Sequence, residues 1–210
     1  MAERLVSLTI YNMEKKALFI NGSARRDKGR TYKLSTKVKE GLESEGYEVE
    51  YIHLVDLDIN FCEGCVSEDG SLCNPKRCLE GKLNDDFKIV MDKMLKRDII
   101  VFLSPVYWYS MSGRMKNLIE RLTSLENVGK MLDGKIGGFV VTAQEDGAMM
   151  TILQLMGTLN DMGFLFPPYA FTYSVNFLDP LQDKEAVEYA LRLGKNLAKM
   201  HRLVKGNKWV

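Results

Sequence analysis

The stretch Ala17-Leu18-Phe19-Ile20-Asn21-Gly22-Ser23-Ala24-Arg25-Arg26-Asp27-Lys28-Gly29-Arg30-Thr31 decides the architecture. Its first five residues form an apolar run that ends at a glycine, as a buried strand does. A polar, glycine-punctuated loop follows, and from residue 31 to about residue 45 the apolar positions recur at helical spacing. Strand, loop and helix open a βαβ unit, and the next segments repeat the theme. Residues 47–54 alternate as a second strand, and Asp98-Ile99-Ile100-Val101-Phe102-Leu103 is the continuous apolar run of a strand covered on both faces. Between them Phe87, Val90, Met91, Met94 and Leu95 put one apolar stripe on a helix that starts near Asn84. Met115, Leu118, Ile119 and Leu122 do the same after the third strand.

Residues 135–142 read as a fourth strand. Residues 148–162 read as a helix with Met149, Ile152, Leu153, Met156 and Leu159 facing inward, and residues 163–166 as a short fifth strand. Pro167-Pro168 interrupts regular structure, and after Pro180 a last amphipathic helix runs to about Leu203. Each parallel connection crosses over right-handed through a helix, so alternating strands and helices give an α/β, doubly wound, five-stranded parallel sheet. The strand order that suits it is the flavodoxin-like 2-1-3-4-5. A single domain spans residues 17–204, with a cysteine-rich loop over 60–82. Residues 1–16 are an N-terminal extension or an extra strand, carrying the strand-like Leu5-Val6-Ser7-Leu8-Thr9-Ile10-Tyr11, and residues 205–210 are a loose tail.

A chain of 210 residues is long enough to bury a large core in one domain. Its 29 basic and 28 acidic side chains leave a formal net charge of +1, which argues against a nucleic-acid partner. No run of eighteen apolar residues occurs, and Glu3, Arg4 and Glu14 interrupt any signal-peptide pattern, so the expectation is a cytoplasmic protein with no membrane partner.

In an open parallel sheet a ligand binds beyond the carboxyl ends of the strands where strand order reverses, which singles out the loops after strands one, three and four. The first, residues 22–31, gathers hydroxyls, glycine-freed amides and cations at a helix N-terminus, a setting for a phosphate monoester or, equally, for a solvated basic loop. It matches neither a Walker A sequence nor the Gly-x-Gly-x-x-Gly fingerprint. The third strand runs into Ser104-Pro105-Val106-Tyr107-Trp108-Tyr109, whose aromatics suit a flat heteroaromatic ligand or a plain core contact. The fourth runs into Thr142-Ala143-Gln144-Glu145-Asp146-Gly147, a polar rim for the same pocket. No Ser-His-Asp or His-Glu-x-x-His arrangement is present, so no catalytic side chain is assigned. His53 and His201 read as structural.

All four cysteines, Cys62, Cys65, Cys73 and Cys78, fall in the one loop with spacing Cys-x2-Cys-x7-Cys-x4-Cys. In a reducing compartment such a cluster reads as ligands or free thiols before disulfides. A [4Fe-4S] cluster, a structural zinc and redox-active free thiols all remain compatible with it.

Asn21-Gly22-Ser23-Ala24-Arg25 with Thr31, Cys62-Glu63-Gly64-Cys65, and Ser104-Pro105-Val106-Tyr107 together resemble the NADPH-dependent FMN reductase superfamily, and within it the iron-sulfur flavoproteins. The resemblance covers roughly residues 17–166. It implies an FMN phosphate on Ser23, Arg25 and Thr31, and an isoalloxazine against Ser104, Pro105, Val106, Tyr107 and Trp108, with Thr142, Gln144 and Gly147 on the far side. It further implies a [4Fe-4S] cluster on the four cysteines, NAD(P)H as a possible donor, a small-molecule or protein electron partner, and a homodimer or homotetramer. The spacing departs from the family in one respect: the third cysteine of the compact motif is expected at position 68, which here is Glu68. Two alternative readings follow, an NAD(P)H-dependent FMN or quinone reductase without a cluster and a flavodoxin-like binding module with structural zinc.

Overall fold

The computed structural model describes residues 15–80, 85–176, 178–204, 208 and 209. In chain order its elements are β1 (Lys16–Asn21), α1 (Arg30–Glu43), β2 (Glu48–His53), α2 (Pro75–Leu79), α3 (Phe87–Lys96) and β3 (Ile99–Tyr107). There follow β4 (Ser110–Met111), α4 (Gly113–Glu126), β5 (Ile136–Ala143), α5 (Ala148–Asp161), β6 (Phe171–Val175) and α6 (Lys184–Val204). The apolar runs become strands because a sheet with helices on both faces buries every second residue in each direction. All of β5 and the first six residues of β3 are buried.

The sheet order is β2-β1-β3-β5-β6, parallel throughout, and the two-residue β4 folds back antiparallel on the end of β3. Counted over the parallel strands this is the expected 2-1-3-4-5. Leu18, Ile20, Ile100, Phe102, Phe139 and Val141 face α3, α4 and α5. Phe19, Val101, Leu103 and Val140 face α1 and α6. Those two helices cross at glycines: a Cβ on Gly41 would lie 2.4 Å from the Leu191 carbonyl oxygen, and one on Gly194 would lie 2.3 Å from that of Val38. His201 is buried between Tyr47, whose hydroxyl is 2.7 Å from Nδ1, and Asp98, 3.2 Å from Nε2, in the structural role expected of it.

Two expectations are corrected. The fifth strand is Phe171–Val175 and not residues 163–166, where Leu165 makes only an isolated bridge to Ile136. Pro167 and Pro168 carry no N–H to extend that ladder, so pairing resumes beyond them. On α5 the buried stripe is Ala148, Thr151, Ile152, Leu155 and Leu159, while Met149 and Leu153 are 40% and 61% exposed. The apolar residues of this helix cover more than one face, so spacing alone does not fix which stripe meets the sheet; Ile152, Met156 and Leu159 pack inward as expected. The third helix begins at Phe87; Asn84, its expected start, lies outside the described residues, as do residues 1–14 and most of the tail. Among the described residues no helix is long and apolar enough to cross a membrane.

Candidate functional site

The first loop is shaped by Asn21, fully buried at the end of β1. Its Oδ1 accepts from the Ser23 amide at 2.9 Å, and its Nδ2 donates to the Arg26 carbonyl at 3.3 Å, steadying Arg26 at a left-handed φ of 51°. Ser23 Oγ in turn accepts from the Arg25 amide at 3.2 Å. The loop ends at Gly29, the N-cap of α1. Among the described residues no side chain caps this helix, so the amides of its first turn keep their donors for a ligand.

Ser23, Arg25, Gly29, Arg30 and Thr31 line one side of an open cleft. Pro105, Val106, Tyr107, Thr142, Ala143 and Gln144 line the other. The three predicted loops therefore converge. Thr31 Oγ1 and Thr142 Oγ1 meet at 2.6 Å and tie α1 to the end of β5. Arg30, which the sequence reading left among several loop cations, donates to the Ala143 carbonyl at 3.3 Å and to Asn176 Oδ1 at 3.0 Å. Burial pulls its pKa down, against the attraction of Asp179.

Ser104, Trp108 and Gly147 do not line this cleft. Ser104 is buried and braces the loop, accepting from the Ser112 amide at 2.9 Å and donating to the Pro105 carbonyl. Gly147, at φ 88°, caps α5 with its missing Cβ against Tyr109, whose Cα would lie 2.8 Å from it. Trp108 and Tyr109 form the two-residue turn between β3 and β4, both at positive φ (50° and 62°). Bulky residues in that region cost roughly 1–2 kcal/mol each, and the result here is a Trp108 that is 94% exposed beside the cleft. An aromatic pair lacks the Asn-Gly signature of such turns, which is why this hairpin was not foreseen.

The four cysteines, all half-buried, line one cavity, closed on its inner side by Glu120, Arg121, Thr123 and Ser124 of α4. α4 also holds the loop: Asn117 donates to the carbonyls of Ile59 and Asn60, and Asn127 to those of Gly70 and Cys73. Arg121 is 1% exposed and donates to Cys78 Sγ at 3.2 Å and to Asp85 at 2.7 Å. Nothing in the sequence reading singled it out. Its signal was its place on the apolar face, three residues after Leu118 and four before Leu125. Burial raises the Cys73 thiol, and the neighbouring Cys78, Cys62 and Cys65 raise it further.

The donor types at the two sites match the groups the resemblance implies. At the cleft, Arg30 Nε is buried without a partner among the described residues, and a Cβ on Gly29 would come within 2.8 Å of Ser23 Oγ, the space an anion needs against a helix N-terminus. At the cavity, four thiols and no fifth are the donor set of a thiolate-ligated cluster. Among the described residues no three His, Cys, Asp or Glu side chains are gathered closely enough to hold a metal ion.

The profile of the NADPH-dependent FMN reductase family matches residues 15–177. An iron-sulfur flavoprotein of Methanocaldococcus jannaschii is 34% identical over 142 residues, 66% of this chain and 68% of that protein. Another, from Archaeoglobus fulgidus, is 33% identical over 150 residues, 68% of this chain and 69% of that protein. Among solved structures, RosB with bound 8-demethyl-8-formylriboflavin-5'-phosphate superposes with a TM-score of 0.72 at 20% identity, over 90% of this chain and 80% of that one.

Proposed function

The chain belongs to the NADPH-dependent FMN reductase family, and from that premise we propose that it is a redox flavoprotein with FMN in the cleft and a [4Fe-4S] cluster on Cys62, Cys65, Cys73 and Cys78. Membership makes it a flavin oxidoreductase. The observation that carries the finer reading is the pairing of two sites: a cleft where the β1, β3 and β5 loops meet, and a second cavity lined by every cysteine of the chain.

Ser23, Arg25 and Thr31, with the first-turn amides of α1, would hold the phosphate. Pro105, Val106 and Tyr107 would face one side of the isoalloxazine, with Thr142 and Gln144 at its rim. Ser104, Trp108 and Gly147 would shape and flank that pocket. FMN, when bound, supplies two-electron exchange with a nicotinamide donor and single-electron exchange with a cluster. The four thiols would ligate that cluster. Arg121 sits eight residues beyond Gly113 (121 − 113), about 12 Å along α4 and away from the carboxyl edge of the sheet. That spacing, with the exposed Trp108, Tyr109, Met150 and Leu153, supports a homo-oligomer in which the two sites face partners across a subunit contact. The electron partner is a small molecule or a protein.

FMN fluorescence titration of the flavin-free chain tests the cleft. Arg25→Ala, which removes one charge-assisted hydrogen bond of roughly 1.5–3 kcal/mol, is expected to weaken binding by roughly ten- to a hundredfold. Unchanged affinity would take the phosphate off this loop.

A further inference from the structure

Arg121 uses all five of its N–H donors, and uses them to join separate parts of the cysteine loop. Nε donates to Cys78 Sγ at 3.2 Å and Nη2 to the Cys78 carbonyl at 2.8 Å. Nη1 donates to the Asn60 carbonyl at 2.9 Å, and both Nη atoms reach the Asp85 carboxylate, at 2.7 and 3.3 Å. The guanidinium lies 4.6 Å over the Phe87 ring, which shuts out water on that side. Asp85 is equally committed, accepting from the Asn60 and Phe87 amides at 2.9 and 3.0 Å. The pair is buried, at 0% and 2% side-chain exposure.

Apolar side chains of similar volume often replace a buried ion pair at no loss of stability, so stability alone does not account for a guanidinium here. What Leu or Met cannot provide is an N–H to sulfur and a positive charge at the cavity wall. We propose that Arg121 is the positioning residue of the cysteine cavity, holding Cys78 by sulfur and carbonyl together, and that its charge, balanced by Asp85, sets the reduction potential of the group those sulfurs ligate. This rests on the cluster reading above. One-electron reduction adds one negative charge and neither makes nor breaks a bond. A guanidinium against a ligating sulfur stabilises that added charge and raises the potential, and hydrogen bonds to sulfur are a known lever on it. The Asp85 carboxylate opposes it.

The test is a potentiometric titration of the full chain, purified and reconstituted with iron and sulfide without oxygen. Far-UV circular dichroism and FMN content check the fold. Arg121→Gln is expected to shift the reduction equilibrium at least tenfold toward the oxidised form, about 59 mV for one electron. Asp85→Asn is expected to shift it by a similar factor the other way. Arg121→Lys keeps the charge without the fork, so it is expected to hold the wild-type potential at reduced iron occupancy. Opposite signs are what a merely structural role does not produce. Equal potentials, or shifts in one direction, in iron-loaded variants would overturn the inference and leave the cluster reading intact. Wild-type chain that takes up no iron or sulfide would overturn both. If Arg121→Gln does not fold, the sign of the Asp85→Asn shift alone decides.

Discussion

The hydroxyls of Thr31 and Thr142 lie 2.6 Å apart in the buried floor of the cleft, one on the first turn of α1 and the other near the end of β5. One must donate to the other, so a single hydroxyl proton is left to serve an anion above them. Thr142→Val removes the tie that holds the first turn of α1 against the end of β5, a hydrogen bond worth about 1 kcal/mol. FMN affinity, read by fluorescence titration, is expected to fall several-fold. Wild-type affinity in this variant would remove the pair from the binding account.

Gly194→Ala tests the packing that sets the α1–α6 layer. The new methyl would sit 2.3 Å from the Val38 carbonyl, so the helices must part, at roughly 1–3 kcal/mol. Thermal denaturation is expected to show a melting point several degrees lower. Because the contact is remote from the cleft, the FMN dissociation constant of the folded variant should hold.

Acid sensitivity should centre on Asp98. The hydrogen bond from His201 holds its carboxyl below its ordinary value of 3.8, with Lys135 helping and burial opposing. A depressed carboxyl contributes stability that is present above the unfolded-state value and is lost as pH falls through the lower folded-state value. Asp98→Asn should therefore be less stable than wild type near neutral pH, and the gap should narrow below about pH 4. Parallel urea-denaturation profiles from pH 7 to 3 would contradict this.

The outward stripe of α5 bears on assembly. Met150 and Leu153 are 53% and 61% exposed, next to the Trp108-Tyr109 turn that Ser110 ties to Gln154 at 2.7 Å. Leu153→Asp is expected to lower the mass seen by light scattering toward that of a single chain, 23.9 kDa. A wild-type chain that is already monomeric would sink the proposed oligomer.

Much of this was legible in the residues. The apolar runs of β1, β3 and β5 read as strands, that of β3 as one buried on both faces, and the three loops that follow them do meet. Features set by tertiary context were not legible. β6 was displaced because Phe164 and Phe166 look like strand residues until Pro167 and Pro168 stop the ladder. On α5 the apolar residues run round more than one face, so the spacing that places Ile152, Met156 and Leu159 inward also admits the exposed Met149 and Leu153. Arg121 resembles any helical arginine until its partners 36 to 61 residues away close around it. Asn21 was visible in the motif, but its work in shaping the loop shows only in the bonds to Ser23 and Arg26.

The central claim is that this one chain carries both a flavin and a thiolate-ligated cluster. Purification without oxygen, followed by FMN, iron and acid-labile sulfide analysis with a visible spectrum, tests it most directly. The account predicts about one FMN, about four irons and about four sulfides per chain, with iron and sulfide lost together in Cys73→Ser. A chain with full FMN but neither iron nor sulfide would contradict it, and would mark a cluster-free FMN reductase instead.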